Sequence, residues 1–373
     1  MPATDSRPRV AILGPALAAI SGVSTHVNML LASSLRQNFE LMHFRVGSEG
    51  REEGTLGKLG RYLFSPPQLA AFLARSRADI VHLNTSLDAK AYWRDLAYLA
   101  VARLLGRRVV NQIHGGPNPA DFFPRSRLLT WILRQFLVRS DAVTVLSSGE
   151  FAAYRAFDGR INVHRVPNAI DPVGLIDEPR SENRHDPLRL VYVGRIIESK
   201  GLFEAVDALR QLHQQGRRFT FMVAGAGRDE LRLREAVRAA GIEDRTRLLG
   251  PVFGAAKNRL WLESDVLVFP SRHAEGLPYA LLEAMAAGCV PIVTPVAAIP
   301  DVVQSGLQGF LVPANDPTRL AAAVAQLDDD RPRLAQMTQA ARRRISESYT
   351  IARLAADFEA VYRQVLGAAS EPK

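Results

Sequence analysis

Two glutamates, Glu275 and Glu283, stand eight positions apart in the stretch His273-Ala-Glu-Gly-Leu-Pro-Tyr-Ala-Leu-Leu-Glu-Ala-Met-Ala-Ala-Gly288. The apolar run 266–270 before it predicts a buried strand. Pro278 suits a first helical turn, where no amide N–H is needed. Leu281 and Met285 recur at helical spacing, Gly288 provides a stop, and 290–294 predicts the next strand. Glu275 is thereby placed in the loop before a helix and Glu283 about two turns inside it. A helix N-terminus offers free N–H groups and a positive partial charge, which suits phosphate. A carboxylate on either side of such a site can hold hydroxyls at the two ends of a sugar–diphosphate–nucleoside. A second segment, Gly194-Arg-Ile-Ile-Glu-Ser-Lys-Gly201, follows one predicted strand and precedes a helix, so Arg195 and Lys200 belong at the carboxyl edge of a sheet. A diphosphate leaving group gains negative charge as its bond to the sugar breaks, and fixed cations there favour the transition state over the ground state. The plain alternatives are an exposed helix glutamate and two solvated loop cations.

The glutamate stretch resembles the E-x7-E signature of glycosyltransferase family 4, the retaining GT-B enzymes that use nucleotide-sugars. The match includes Gly276, Pro278 and the Ala-Met-Ala-x-Gly run ending at Gly288. The Gly194–Gly201 segment resembles the family's G-R-x-x-x-x-K-G element, whose cations contact the donor diphosphate. The resemblance implies that Glu283 binds ribose hydroxyls, and that Glu275, with Gly276, Leu277 and Pro278, meets the donor sugar and orients its anomeric carbon. It implies that Gly194, Arg195 and Lys200 meet the diphosphate, and that Gly225 and Leu249 lie near the nucleotide. Gly22 falls where the family's first glycine loop approaches phosphates and acceptor, although Ser21 replaces its frequent first glycine. His114, at a strand end before Gly115-Gly116, falls where family members have a histidine lining the donor-sugar pocket; a structural histidine is the other reading. Val166-Pro-Asn-Ala-Ile-Asp171 resembles the family's junction, with Ala169 for glycine. Nucleotide-sugar is a co-substrate, so no cofactor is implied. No C-x-x-C or H-E-x-x-H occurs, and Asp328-Asp329-Asp330, the one run that fits D-x-D, follows a helix near the C-terminus and reads as a solvated cap, so no metal site is expected, and the two cations stand in for metal charge.

These residues need a scaffold. Strand-like runs at 9–14, 41–46, 79–84, 107–114, 142–146 and 161–166 alternate with helical stretches at 21–35, 68–75, 89–105 and 127–138. This predicts an α/β, doubly wound parallel sheet. Residues 47–60, rich in Gly and charge, read as a loop. Residues 171–187, with four prolines or glycines among many charges, read as a linker. The pattern then restarts, with strands at 188–193, 219–224, 247–250, 266–270, 290–294 and 309–312. The expected architecture is GT-B: two Rossmann-like domains facing across a cleft, an acceptor domain 1–170 and a nucleotide-sugar domain 188–350. By the resemblance the last helix, 351–373, crosses back to the first domain. Gly225-Ala-Gly227 begins like a dinucleotide fingerprint, but Glu230 stands at the third glycine and no such fingerprint is present, which disfavours an NAD enzyme.

Length, 373 residues, allows two cores, and 47% hydrophobic with 23% charged content is ordinary for a globular chain. Cys289 is alone, so no internal disulfide forms. No apolar run approaches a membrane span and residues 1–9 lack a signal core, so a cytoplasmic location is the default expectation. The net charge of +9 suits an anionic partner without choosing one. Residues 122–139 combine Phe, Trp and Arg with no acid. They read either as a core helix with solvated arginines or as a peripheral contact with the inner membrane face, in which case the acceptor is lipid-linked. The expected function is a retaining transfer of a hexose from a nucleoside-diphosphate sugar to a hydroxyl acceptor, in cell-surface polysaccharide or glycolipid synthesis. A GT-B 2-epimerase or phosphorylase is the alternative. A basic binding protein ranks last, since no nucleic-acid motif is visible.

Overall fold

The computed structural model describes residues 7–49, 54–177, 186–272 and 276–367. Two compact units divide the chain. Unit 1 is Met1–Ala169 with Ile351–Lys373, and unit 2 is Ile170–Thr350.

Unit 1 runs β1 (Arg9–Gly14), α1 (Gly22–Ala32), α2 (Leu35–Asn38), β2 (Glu40–Arg45), α3 (Thr55–Ser76), β3 (Ile80–Thr85), α4 (Ala89–Leu104), β4 (Arg108–Ile113), α5 (Pro119–Phe122), α6 (Arg127–Val138), β5 (Ala142–Val145), α7 (Ser148–Phe157) and β6 (Val163–Arg165). The strands pair in parallel in the order β2-β1-β3-β4-β5-β6. β1, β3 and β5 are buried nearly along their length because helices cover both faces, and β3 carries the polar His82, Asn84 and Thr85 into that buried layer. One face packs Leu69, Leu73, Leu99, Leu133 and Phe136. The other packs Val27 and Leu30 of α1 with Leu354, Phe358, Val361 and Tyr362. The last four belong to a further helix, Ile351–Gly367, which is therefore part of unit 1's core.

Unit 2 repeats the plan. It runs β7 (Leu188–Val193), α8 (Leu202–Gln214), β8 (Phe219–Ala224), α9 (Glu230–Ala239), β9 (Thr246–Gly250), α10 (Gly254–Leu262), β10 (Val266–Phe269), α11 (Tyr279–Ala287), β11 (Val290–Val293), α12 (Ile299–Val302), β12 (Phe310–Leu311), α13 (Pro317–Asp329) and α14 (Arg331–Ser348). The sheet order is β12-β11-β10-β7-β8-β9, all parallel. In each unit the strand order reverses beside the first strand, between β1 and β3 in one and between β7 and β10 in the other. Ligands of such sheets bind beyond the strand C-termini at that switch point.

The structure differs from the sequence expectations in several places. Helix α3 begins at Thr55, so 55–60 is helix rather than loop, and it runs through Pro66 and Pro67. The carbonyls that lose a donor belong to Tyr62 and Leu63, both on an exposed face where water replaces it. The segment expected as a linker, 171–187, is partly packed: Leu175 is buried in unit 2, and 178–185 lies outside the described residues. Helix α7 was not anticipated, although Ser147 and Glu150 form a capping box around its start. In the basic aromatic segment, α6 buries Leu133, Phe136 and Leu137 yet leaves Leu128 and Trp131 65% and 54% exposed. Among the described residues no helix is long and apolar enough to cross a membrane.

Candidate active site

At the switch point of unit 2, the turns after β7, β8 and β9 lock together through backbone. The Gly194 amide donates to Ala224 O at 3.0 Å, the Gly225 amide to Gly250 O at 2.8 Å, and the Ile196 amide to Ala226 O at 2.9 Å. A Cβ on Gly225, at φ +150°, would sit 1.8 Å from Gly194 O, and one on Gly227 would sit 2.0 Å from Ile196 O. These glycines thus permit turn-on-turn packing. Leu249, just before Gly250, is 43% exposed.

The same turns present the cations. Arg195 is exposed, and its guanidinium has no partner among the described residues. Its carbonyl accepts from the Tyr192 hydroxyl at 2.8 Å, which fixes the backbone beneath it. Lys200 is buried at 6% exposure, its Nζ 5.6 Å from the ring centre of Phe269 at the end of β10. Gly201, at φ +76°, lets this turn lie against Pro270. Two residues passed over in the sequence hold the loop. Asp229 accepts the Glu198 amide at 2.8 Å, an interaction that keeps its carboxyl below the usual range. Arg272 reaches Glu204 at 3.4 Å.

Glu275 lies outside the described residues. After it, Gly276 accepts the Ala298 amide at 3.4 Å, and Leu277 is buried. Pro278 is the N-cap of α11, not a residue of its first turn, and Glu283 accordingly sits little more than one turn inside. Pro278 has no side chain with which to cap α11, and the Leu281 amide donates back to Pro278 O at 3.1 Å. Glu283 is 14% exposed, and both its oxygens are engaged: Oε1 by Lys257 Nζ at 2.8 Å and Oε2 by Trp261 Nε1 at 3.2 Å. A carboxylate has about four acceptor sites, so room for ligand hydroxyls remains. Lys257 and Trp261, four apart on α10, were not singled out beforehand. Their spacing puts them on one helix face, but nothing in the sequence ties that face to Glu283.

Gly22 and His114 are in unit 1. Gly22 is exposed and opens α1, behind Ser21, whose side chain accepts the Ser24 amide. His114 follows β4; its Nε2 is 2.9 Å from Asn84 Oδ1, and its ring meets His26 edge-on with centroids 4.7 Å apart. His82 Nδ1 lies 2.6 Å from the Tyr362 hydroxyl. Burial drives all three histidines to the neutral form. It holds His26 down at about 3 against a small opposing bond from Asn168, and holds His82 and His114 well below 6.5, where their mutual proximity adds to the effect. Among the described residues no group of three His, Cys, Asp or Glu stands together to hold a metal ion.

Residues 20–173 match the Glycosyltransferase Family 4 profile, and 176–344 match Glycosyl transferases group 1. The 2-deoxystreptamine glucosyltransferase of Streptomyces kanamyceticus is 30% identical over 310 residues, 78% of each chain. The chain belongs to glycosyltransferase family 4. The Amylovoran biosynthesis glycosyltransferase AmsK of Erwinia amylovora is 33% identical over 170 residues, 44% of this chain and 42% of that protein. The match therefore spans under half the length of this relative. Anabaena HepE, solved in complex with UDP, superposes with a TM-score of 0.73 at 16% identity, covering 95% of this chain and 99% of that one. This member of family 4 thus has the GT-B fold, two parallel six-stranded sheets with helices.

Proposed function

We propose that this protein is a retaining glycosyltransferase that moves a hexose from a nucleoside diphosphate to an acceptor hydroxyl, without a metal. Unit 2 takes the donor and unit 1 the acceptor. The observation that carries this reading is the placement of Arg195 and Lys200 at the β7/β10 switch point, beside glycine turns. Arg195 has no partner among the described residues there and Lys200 lies against Phe269. Glu283, held by Lys257 and Trp261, receives the ribose hydroxyls, and Glu275 the sugar hydroxyls. As the anomeric C–O bond breaks, the diphosphate charge grows against the two cations. The acceptor oxygen bonds to the anomeric carbon on the departing face, and its proton passes to a donor phosphate oxygen. His114, neutral, serves the sugar as a hydrogen-bonding wall rather than as a charge.

UDP in the Anabaena neighbour supports a nucleotide donor, and amylovoran synthesis in the Erwinia relative supports a polysaccharide setting. Arg125, Arg127, Leu128 and Trp131, all exposed, support a peripheral contact with an anionic inner membrane face and a lipid-linked acceptor. Thermal-shift screening against UDP-, GDP- and ADP-sugars tests the reading, since a bound nucleotide raises stability by mass action. A chain that none of them stabilises is not a nucleotide-sugar enzyme.

A further inference from the structure

Unit 1 contains a cavity of about 760 Å³ at its own switch point, bounded by the ends of β1, β2 and β3 and by α3 and α4. Ligand sites span about 300–1,000 Å³, so this one holds a molecule of substantial size. Two aromatic side chains line it and remain accessible, Tyr62 at 39% and Trp93 at 41%. Both are fixed. The Trp93 ring packs edge-on against Tyr92 at 5.0 Å and lies 6.4 Å from Phe123, and the Tyr62 hydroxyl donates to Lys90 O. A rigid indole that stays 41% exposed inside a cavity offers its π-face to a ligand rather than to the core.

The charges around it cancel. Arg94 is spent on Asp95 in a two-pronged bond of 2.7 and 2.9 Å. Of the other charged lining groups, Arg61 and Lys90 are matched by Glu49 and Asp88. Asp88 uses Oδ1 on the Lys90 and Ala91 amides, both at 3.0 Å. Lys90 Nζ and the Glu49 carboxylate have no partner among the described residues. Acceptors and donors therefore surround an aromatic platform with no net charge to attract an ion. The C–H face of a pyranose is electropositive and matches the negative face of an indole, while its hydroxyls both donate and accept.

We infer that this cavity seats a neutral saccharide acceptor, stacked on Trp93 and hydrogen-bonded by Glu49, Asp88 and Lys90. The inference rests on the glycosyltransferase reading and narrows its acceptor class: a lipid tail, an aminocyclitol or an acidic glycan does not suit this balanced lining. The labelled full-length chain is applied to a glycan array of neutral, amino and acidic oligosaccharides. Neutral glycans are expected to bind. Trp93→Ala should lower that binding at least tenfold, Trp93→Phe should recover most of it, and Glu49→Gln, at an exposed site without partners among the described residues, should lower it several-fold. Each variant should keep the wild-type thermal shift with nucleotide. Binding unchanged by Trp93→Ala and Glu49→Gln, retention of charged glycans alone, no glycan bound, or displacement of glycan by UDP, GDP or ADP each overturns the inference. If neutral glycans bind through Trp93 but no nucleotide shifts the wild-type chain, the glycosyltransferase reading fails and takes the acceptor role with it, leaving a saccharide site.

Discussion

Removing the charge partner of Glu283 gives a sharp test of how unit 2 prepares its site. Lys257 Nζ lies 2.8 Å from Glu283 Oε1, with side chains 26% and 14% exposed. At an effective dielectric of about 20 the gross attraction is roughly 6 kcal/mol, most of it offset by desolvation. Exposed pairs contribute about 0.2–1 kcal/mol, and breaking buried ones costs about 3–5 kcal/mol. This half-buried pair falls between, so Lys257→Met should cost about 1–2 kcal/mol of unit 2 stability. Methionine keeps the stem's packing, which isolates the charge. Glu283 would then be held by Trp261 alone and would have to be ordered again when ligand binds. Immobilising one such side chain costs about 0.5–1.5 kcal/mol, which corresponds to a rise of roughly 2- to 12-fold in nucleotide Kd. Urea unfolding measures the first quantity and calorimetric titration with the nucleotide that stabilises the wild type measures the second. A variant that loses stability but binds nucleotide equally well or more tightly would refute the idea that the clamp orients Glu283 for ligand.

Arg195→Ala should leave stability within about 0.5 kcal/mol, because the exposed side chain has no partner among the described residues, yet lower turnover by about two to three orders of magnitude; melting temperature and initial rate read the two effects. Gly201→Ala should cost upward of about 2 kcal/mol, since its Cβ would stand 2.0 Å from Pro270 O as well as at positive φ, whereas Gly216→Ala, at φ +72° with nothing within 4 Å, should cost only about 1 kcal/mol. Equal costs, by denaturant unfolding, would show that crowding at Pro270 is relieved by movement. Acid should weaken unit 1. His26 is held at about 3, so below about 6.5 the unfolded chain takes up a proton that the folded one refuses. Each histidine so buried then removes about 1.4 kcal/mol per pH unit, a loss that for His26 runs down to about 3. Trp93 and Trp131 are both in unit 1; read in a Trp261→Phe background that removes the signal of unit 2, a melting temperature from their fluorescence that stays level from pH 7 to 5 would contradict it.

The alternation of strands and helices was readable because most buried parallel strands are nearly continuous apolar runs, as in Val266–Phe269. What escaped was settled by features with weak periodicity. Helix α7 buries only Tyr154, so its signal lay in the Ser147–Glu150 box rather than in a hydrophobic stripe. Helix α3 was hidden by two prolines whose cost falls on solvent-facing carbonyls. At the candidate site, the glycine and cation spacing pointed to the turns after β7 and β8, which the structure packs against each other, since those residues are local. The partners of Glu283 come from a different helix, 22 and 26 positions upstream, and Asp229 reaches Glu198 across 31 positions. Such contacts depend on strand order, which alternation alone does not fix.

The two units divide the electrostatic work. In unit 2 a guanidinium with no partner among the described residues and a lysine against an aromatic ring occupy the switch point, on backbone turns that glycine packing locks together. Cations carried on a fixed backbone are placed to stabilise a developing anion with little backbone reorganisation. In unit 1 the corresponding edge is built from the opposite materials: histidines kept neutral by burial, an Arg94–Asp95 pair that cancels itself, and an accessible indole. A surface of that balance gives an anion little electrostatic reason to settle there, which is what the proposed division into a donor unit and an acceptor unit requires. The chain's excess of positive charge does not contradict this, because charge outside a site governs encounter while charge within it governs which end of a substrate pair is held.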